Sequence, residues 1–137
     1  HSAQVSFPGG KLEKQDASLE QAALRETYEE IGVPMEAMEI LCRFSQVYIP
    51  PSNFYVHPFL AFINYKPLFK LQENEVELLI EVDLDEFLDD KVLSVCYVET
   101  SYRVENEVPA FKLGGHVVWG ATAMILSEIK DVLKQLT

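Results

Sequence analysis

Glu26, Glu29 and Glu30 stand at i, i+3 and i+4 in the run Arg25-Glu26-Thr27-Tyr28-Glu29-Glu30-Ile31-Gly32-Val33, and Phe7-Pro8-Gly9-Gly10 lies just upstream. On a helix that turns about 100° per residue, this spacing gathers all three carboxylates into one arc. Carboxylates held that close repel one another, and a divalent cation between them removes the repulsion. An Mg2+ or Mn2+ ion held there neutralises an anionic substrate and activates water, which is the chemistry of hydrolysis at phosphorus. The plainer reading is a solvated acidic face. The Gly-Gly turn ahead of the patch and Arg25, four residues before Glu29, favour the metal site.

The helix follows from its ends. Ser18 is a suitable N-cap and Gln21 lies three residues on, as a capping box requires. Leu19 to Ile31 contains neither proline nor glycine, and Gly32 supplies the C-terminal stop. Leu24, Thr27, Tyr28 and Ile31 fall roughly opposite the acidic arc and are expected to face a core.

These residues resemble the Nudix box, Gly-x5-Glu-x7-Arg-Glu-U-x-Glu-Glu-x-Gly-U with U aliphatic. Gly10, Arg25, Glu26, Glu29, Glu30, Gly32 and Val33 match, and Thr27 departs mildly. The first half departs further. Asp16 stands where the pattern counts its first Glu from Gly10, and eight residues rather than seven separate it from Arg25. Ala17 occupies the register of that Glu. The longer form is similar to the coenzyme A pyrophosphatase branch, as are His1, Gln4, Phe7 to Lys11, Asp16, Ala23 to Gly32, and the stretch Gly115 to Ala123. The enlarged loop, Lys14 to Ser18, is expected to restore the helix register at Leu19, with Asp16 or Glu13 pointing toward the metal side.

The resemblance implies a fold and a set of roles. The fold is an α/β/α sandwich with a mixed sheet, one Nudix domain spanning 1–137 and N-terminally incomplete, since at least one core strand precedes this point in the family. The metal ligands are Glu26, Glu29, Glu30 and the Gly10 carbonyl. Arg25 orients a glutamate through a charge-assisted hydrogen bond, and Glu26 and Glu29 join it as catalytic residues. The base that deprotonates water is Glu26 or a loop carboxylate, Glu75 or Glu77. The substrate is a small nucleotide, most simply coenzyme A or an acyl derivative cleaved to a phosphopantetheine and adenosine 3′,5′-bisphosphate. ADP-ribose or a dinucleotide is the enzymatic alternative, and a non-catalytic Nudix-fold binding module is the other.

Bulk properties bound these readings. A chain of 137 residues suffices for one core, and 48% hydrophobic residues is a globular fraction. The net charge of −11 argues against binding nucleic acid. The same charge requires that basic residues for an anionic substrate be local. Lys11, Lys14, Arg43, Lys66 and Lys70 are the candidates. Lys11 and Arg43 are taken as substrate-binding, with Asn53 in the Pro50 to Phe54 loop. Cys42 and Cys96 lack metal-ligand spacing, which suggests free thiols in a reducing compartment and a cytoplasmic protein, although a disulfide between them is left open. No apolar run is long enough to span a bilayer and no signal peptide is visible, so no membrane partner is expected. A homodimer is left open.

The remaining chain reads as alternating strand and helix. Glu39 to Ile49 and Phe54 to Tyr65 are strand-like, the second buried with Pro58 marking a bulge or edge. Val76 to Val82, Lys91 to Thr100 and Tyr102 to Val104 are further strand segments, and Leu84 to Leu88 is a helical turn. Val108 to Leu113 and His116 to Trp119 flank Gly114-Gly115, a hairpin signal. Ala121 to Leu136 is an amphipathic helix with Ala121, Met124, Ile125, Ile129, Val132, Leu133 and Leu136 on its apolar side. His57 is expected to be a satisfied core histidine, and Trp119 a core residue.

Overall fold

The computed structural model describes residues 4–98 and 106–136, with the side chains of Val98 and Asn106 left out. His1 and the segment Tyr102 to Val104 lie outside the described residues. The chain is mixed α/β, the class expected for a Nudix fold, and its described residues form three α-helices and strands in three sheets. It divides into two compact units, one of residues 7–46 and 56–79, the other of 1–6, 47–55 and 80–137.

The first unit is built around helix α1, Leu19–Ile31. Both predicted caps operate. The Ser18 side chain accepts from the Gln21 N–H at 3.1 Å, and Gly32, at φ 78°, turns the chain out of the helix while its N–H donates to Tyr28 O. A side chain at Gly32 would also strike Lys70, whose backbone N lies 3.0 Å from the position of a Cβ. The segment after Lys70 docks on this helix end. Lys70 N–H donates to Ile31 O and Gln72 N–H to Glu30 O, both at 2.9 Å, so two carbonyls left over at the helix terminus are satisfied.

Strands β1 (Glu39–Arg43) and β4 (Phe59–Phe62) pair antiparallel in this unit, with an irregularity between Ile40 and Cys42. The run Phe54 to Tyr65 is therefore not one buried strand. It breaks at His57-Pro58 into β3 (Phe54–Val56) and β4, because Pro58 has no N–H to give a ladder. Its carbonyl still accepts from Phe44 N–H at 3.0 Å. Phe62 is 51% exposed, so the run is not buried throughout. The face of α1 also differs from expectation. Tyr28 is 52% exposed, whereas Ala22 and Arg25 are the buried residues of the helix.

The second unit holds β2 (Val47–Ile49), paired with β3, and the antiparallel sheet β5 (Leu93–Val98), β6 (Asn106–Leu113), β7 (His116–Trp119) in that order. Gly114 and Gly115, at φ 56° and 80°, make the tight β6–β7 turn, where both central residues need positive φ. Phe87, Val92, Phe111, Leu113, Val118 and Ala123 form the core, with α2 (Leu84–Leu88) and α3 (Gly120–Gln135) packed on it. The expected apolar stripe of α3 holds in part, with Ile125 buried and Ile129 and Leu133 packed against the core. Met124 and Leu136 are exposed, and the buried residues are Ala123, Ile125 and Lys130.

Two sequence expectations do not appear. Val76 to Val82 is not a strand, because strand-forming residues need a partner edge and this segment has none among the described residues. Glu39 to Ile49 splits at Phe44 to Gln46 into β1 and β2. No helix among the described residues is long and apolar enough to cross a membrane.

Candidate active site

Helix α1 and the glycine loop meet at Gly10. A Cβ built there would lie 2.1 Å from Glu26 Oε2, so only glycine leaves room for that carboxylate. One residue earlier, Gly9 N–H donates to Glu30 Oε2 at 3.4 Å. The loop backbone thus lies over the carboxylates of Glu26 and Glu30, as the Phe-Pro-Gly-Gly signature suggests.

The Glu30 carboxyl is pushed up to about 7. Burial is the main cause. The Glu26 carboxyl, within hydrogen-bonding reach, and the negative charges of Glu26 and Glu75 add to it, while the Gly9 N–H opposes it. Glu75 enters this neighbourhood because the segment capping α1 continues through it: its N–H donates to Gln72 O at 3.0 Å. Glu77 is exposed and shows no such link to Glu30 among the described interactions.

Arg25 is the other centre of the site. Its Nε lies 2.9 Å from Asp16 Oδ1 and one terminal nitrogen 3.0 Å from Asp16 Oδ2, a two-point ion pair. The other terminal nitrogen reaches Glu29 Oε1 at 3.2 Å and Glu26 Oε2 at 3.3 Å. Lys11 contributes its carbonyl, 3.2 Å from Arg25, and Glu13 a carboxylate at 3.7 Å. The arginine side chain is 10% exposed and that of Asp16 3%. The hydrogen bonds from Arg25 and from Glu13 N–H hold the Asp16 carboxyl below its ordinary range, and Asp16 in turn holds the Arg25 proton more firmly.

This geometry corrects the expectation for the enlarged loop. A turn closed by Asp16 N–H to Glu13 O and Glu13 N–H to Asp16 Oδ2 restores the helix at Leu19. Yet Asp16 is turned onto Arg25 and acts on Glu26 and Glu29 through it. The spacing conceals this, because eight residues separate the pair and the turn alone brings them together.

A cation fits part of the set. Carboxylate and carbonyl oxygens are the donors that Mg2+ and Mn2+ take. Crowded negative charge at Glu30 is the condition that such an ion relieves. Among the described residues, however, no three acidic, histidine or cysteine side chains converge as a complete ligand set. Glu29 is turned to Arg25 instead.

The remaining candidates make contacts of their own. Arg43, exposed on β1, donates to His57 Nδ1 at 3.2 Å and lies over the Phe59 ring. His57 is thus satisfied, but at a strand break and not in a core. Asn53 belongs to the other unit. It adopts φ 54° at the end of the turn Pro50–Ser52, and its Oδ1 accepts from Tyr48 OH at 2.8 Å. Cys42 and Cys96 are free thiols.

A model of the NUDIX domain matches residues 1–97. The chain belongs to the Nudix family. It is 34% identical over 131 residues to an uncharacterized Nudix hydrolase NudL of Yersinia enterocolitica, covering 94% of this chain and 65% of that protein. It is 34% identical over 127 residues to a probable nudix hydrolase of Schizosaccharomyces pombe, with 93% and 44% covered. A NudL protein of Salmonella paratyphi B is 33% identical over 135 residues, with 94% and 66% covered. This Nudix chain thus spans less than two thirds of the length of these relatives.

Proposed function

We propose that this chain forms the single Nudix domain of a pyrophosphohydrolase that cleaves nucleoside diphosphate derivatives, with coenzyme A or acyl-coenzyme A as substrate. The observation that carries the hydrolase reading is the placement of Glu26 and Glu30 beneath Gly9-Gly10, with Glu75 close enough to raise the proton affinity of Glu30. The relatives named as Nudix hydrolases support the same reading.

Glu26 and Glu30 would hold Mg2+ or Mn2+ with the Gly10 carbonyl, and Glu29 would join them only by turning from Arg25. When bound, the ion supplies charge neutralisation at the pyrophosphate oxygens and a more acidic water. Arg25 fixes Glu26 and Glu29 by charge-assisted hydrogen bonds, and Asp16 fixes Arg25. Glu75, whose negative charge acts on Glu30, is the loop carboxylate proposed to accept a proton. The Gly9 N–H offers a fixed dipole at the same position.

The coenzyme A assignment rests on the residues shared with that branch at both ends of the chain. A charged contact to the 3′-phosphate is worth about 1.5–3 kcal/mol. Coenzyme A should therefore be preferred over its 3′-dephospho form by about ten- to a hundredfold. Product analysis of the full-length protein with a panel of nucleoside diphosphates and Mg2+ or Mn2+ tests both levels. Phosphopantetheine and adenosine 3′,5′-bisphosphate are the expected products. Faster cleavage of ADP-ribose would assign the alternative substrate, and no cleavage of any compound would leave a binding module.

A further inference from the structure

We propose that Arg43 and His57, at the end of the β1–β4 ribbon, form a binding site for a phosphate monoester. The site lies outside the carboxylate cluster of α1, and its ligand class deepens the coenzyme A reading, on which the choice of nucleotide rests.

The two described arginines of this unit are in opposite states. Arg25 is saturated by Asp16, Glu13, Glu26 and Glu29. Arg43 pairs with no carboxylate among the described residues, although the chain has 22 acidic residues against 11 basic ones.

Arg43 is nonetheless held in place. Its residue pairs directly with Phe59 across the ribbon, and its guanidinium carbon lies 5.6 Å from the centre of the Phe59 ring. One terminal nitrogen is 3.2 Å from His57 Nδ1. Arginine only donates, so Nδ1 is the acceptor and the imidazole proton sits on Nε2. The Phe44 N–H to Pro58 O bond fixes the backbone just beyond the pair. The remaining guanidinium N–H groups and the imidazole N–H form a preorganised set of donors without an internal anion. A planar fork of this kind matches phosphate in a two-point geometry, and its prior ordering lowers the entropy lost on binding.

Calorimetric titration with adenosine 3′,5′-bisphosphate and with adenosine 5′-monophosphate tests the site without turnover, so it stands apart from the hydrolase assignment. The full-length protein should bind the bisphosphate about tenfold more tightly or better. In Arg43→Ala that ratio should fall below about twofold, with Arg43→Lys and His57→Gln between, since Lys keeps the charge but loses the fork. The circular dichroism of each variant should remain that of the parent. A ratio unchanged in folded Arg43→Ala and His57→Gln would overturn the site, as would a parent protein that binds the two nucleotides equally or binds neither. Should the ratio behave as expected while no pyrophosphate bond is cleaved, the phosphate site would stand and the catalytic reading would fall.

Discussion

Asp16 grips Arg25 at two points, 2.9 and 3.0 Å, and Arg25 carries that grip on to Glu26 and Glu29. The acidic residue in the lengthened box thus reaches the glutamates of α1 through a cation. Asp16→Asn should keep the fold and lower turnover by about ten- to a hundredfold, the usual range when an outer partner of a site is lost. Arg25→Lys should be at least as damaging, since a point charge cannot serve Asp16 and the two glutamates together. Steady-state kinetics of the folded variants check both.

The same pair sets a signature in acid. The Asp16 carboxyl titrates below its ordinary value in the folded state because Arg25 and Glu13 N–H bind its charged form. Its contribution to stability is therefore present above the unfolded value of 3.8 and is lost as pH falls through the lower native one. The melting temperatures of the parent and Asp16→Asn should differ at neutral pH and converge in strong acid. Calorimetric scans across that range measure it.

Gly10 is required for space. In Gly10→Ala the new methyl meets the end of the Glu26 side chain, which can swing away. The fold should survive while turnover falls by about a hundredfold, on the scale of a displaced reacting group. Circular dichroism together with kinetics separates this from unfolding.

Glu30 should show the opposite balance of stability and activity. A carboxyl raised from 4.5 to about 7 destabilises the folded, metal-free protein as pH rises through that window, because the unfolded chain gives up its proton more readily. Metal-free Glu30→Gln should then be the more stable protein above about pH 7, by about 1 kcal/mol once solvent screening is counted. The gain should vanish below about pH 4.5 and shrink when Mg2+ is added to the parent. Urea unfolding in a chelator, with and without Mg2+, tests it.

Lys130 is a structural lysine. Its ammonium donates to Asp89 O at 3.1 Å and lies between 5 and 6 Å from the Phe87 and Phe111 ring centres, at 5.7 and 5.9 Å. Lys130→Ala should cost about 2–3 kcal/mol by losing the packed stem and the hydrogen bond. Lys130→Met, which keeps the stem volume, should cost less. Urea denaturation measures both.

What the sequence reveals depends on how local the cause is. Helix α1 is legible to the residue because Ser18, Gln21 and Gly32 act within a turn of its ends. The Gly114-Gly115 hairpin is legible for the same reason. Arg25 as a carboxylate partner and Gly10 as the close neighbour of Glu26 follow from the box. The burial of Lys130 is hidden, since a charged residue on α3 reads as solvent-facing until Asp89, Asp90 and two rings surround it. Asp16 is hidden in role, because only the loop turn brings it to Arg25. Val76 to Val82 misleads because strand propensity without a partner edge does not make a strand.

In the proposed function, the Glu26 and Glu30 carboxylates under the glycine loop are the catalytic centre of a pyrophosphohydrolase. The most direct measurement is the rate of coenzyme A hydrolysis by full-length protein with Mg2+, compared with that of Glu30→Gln shown to be folded. A loss of about a thousandfold or more is expected, since removing a ligand disables a site built on charge. Hydrolysis by folded Glu30→Gln at a rate near that of the parent would contradict it.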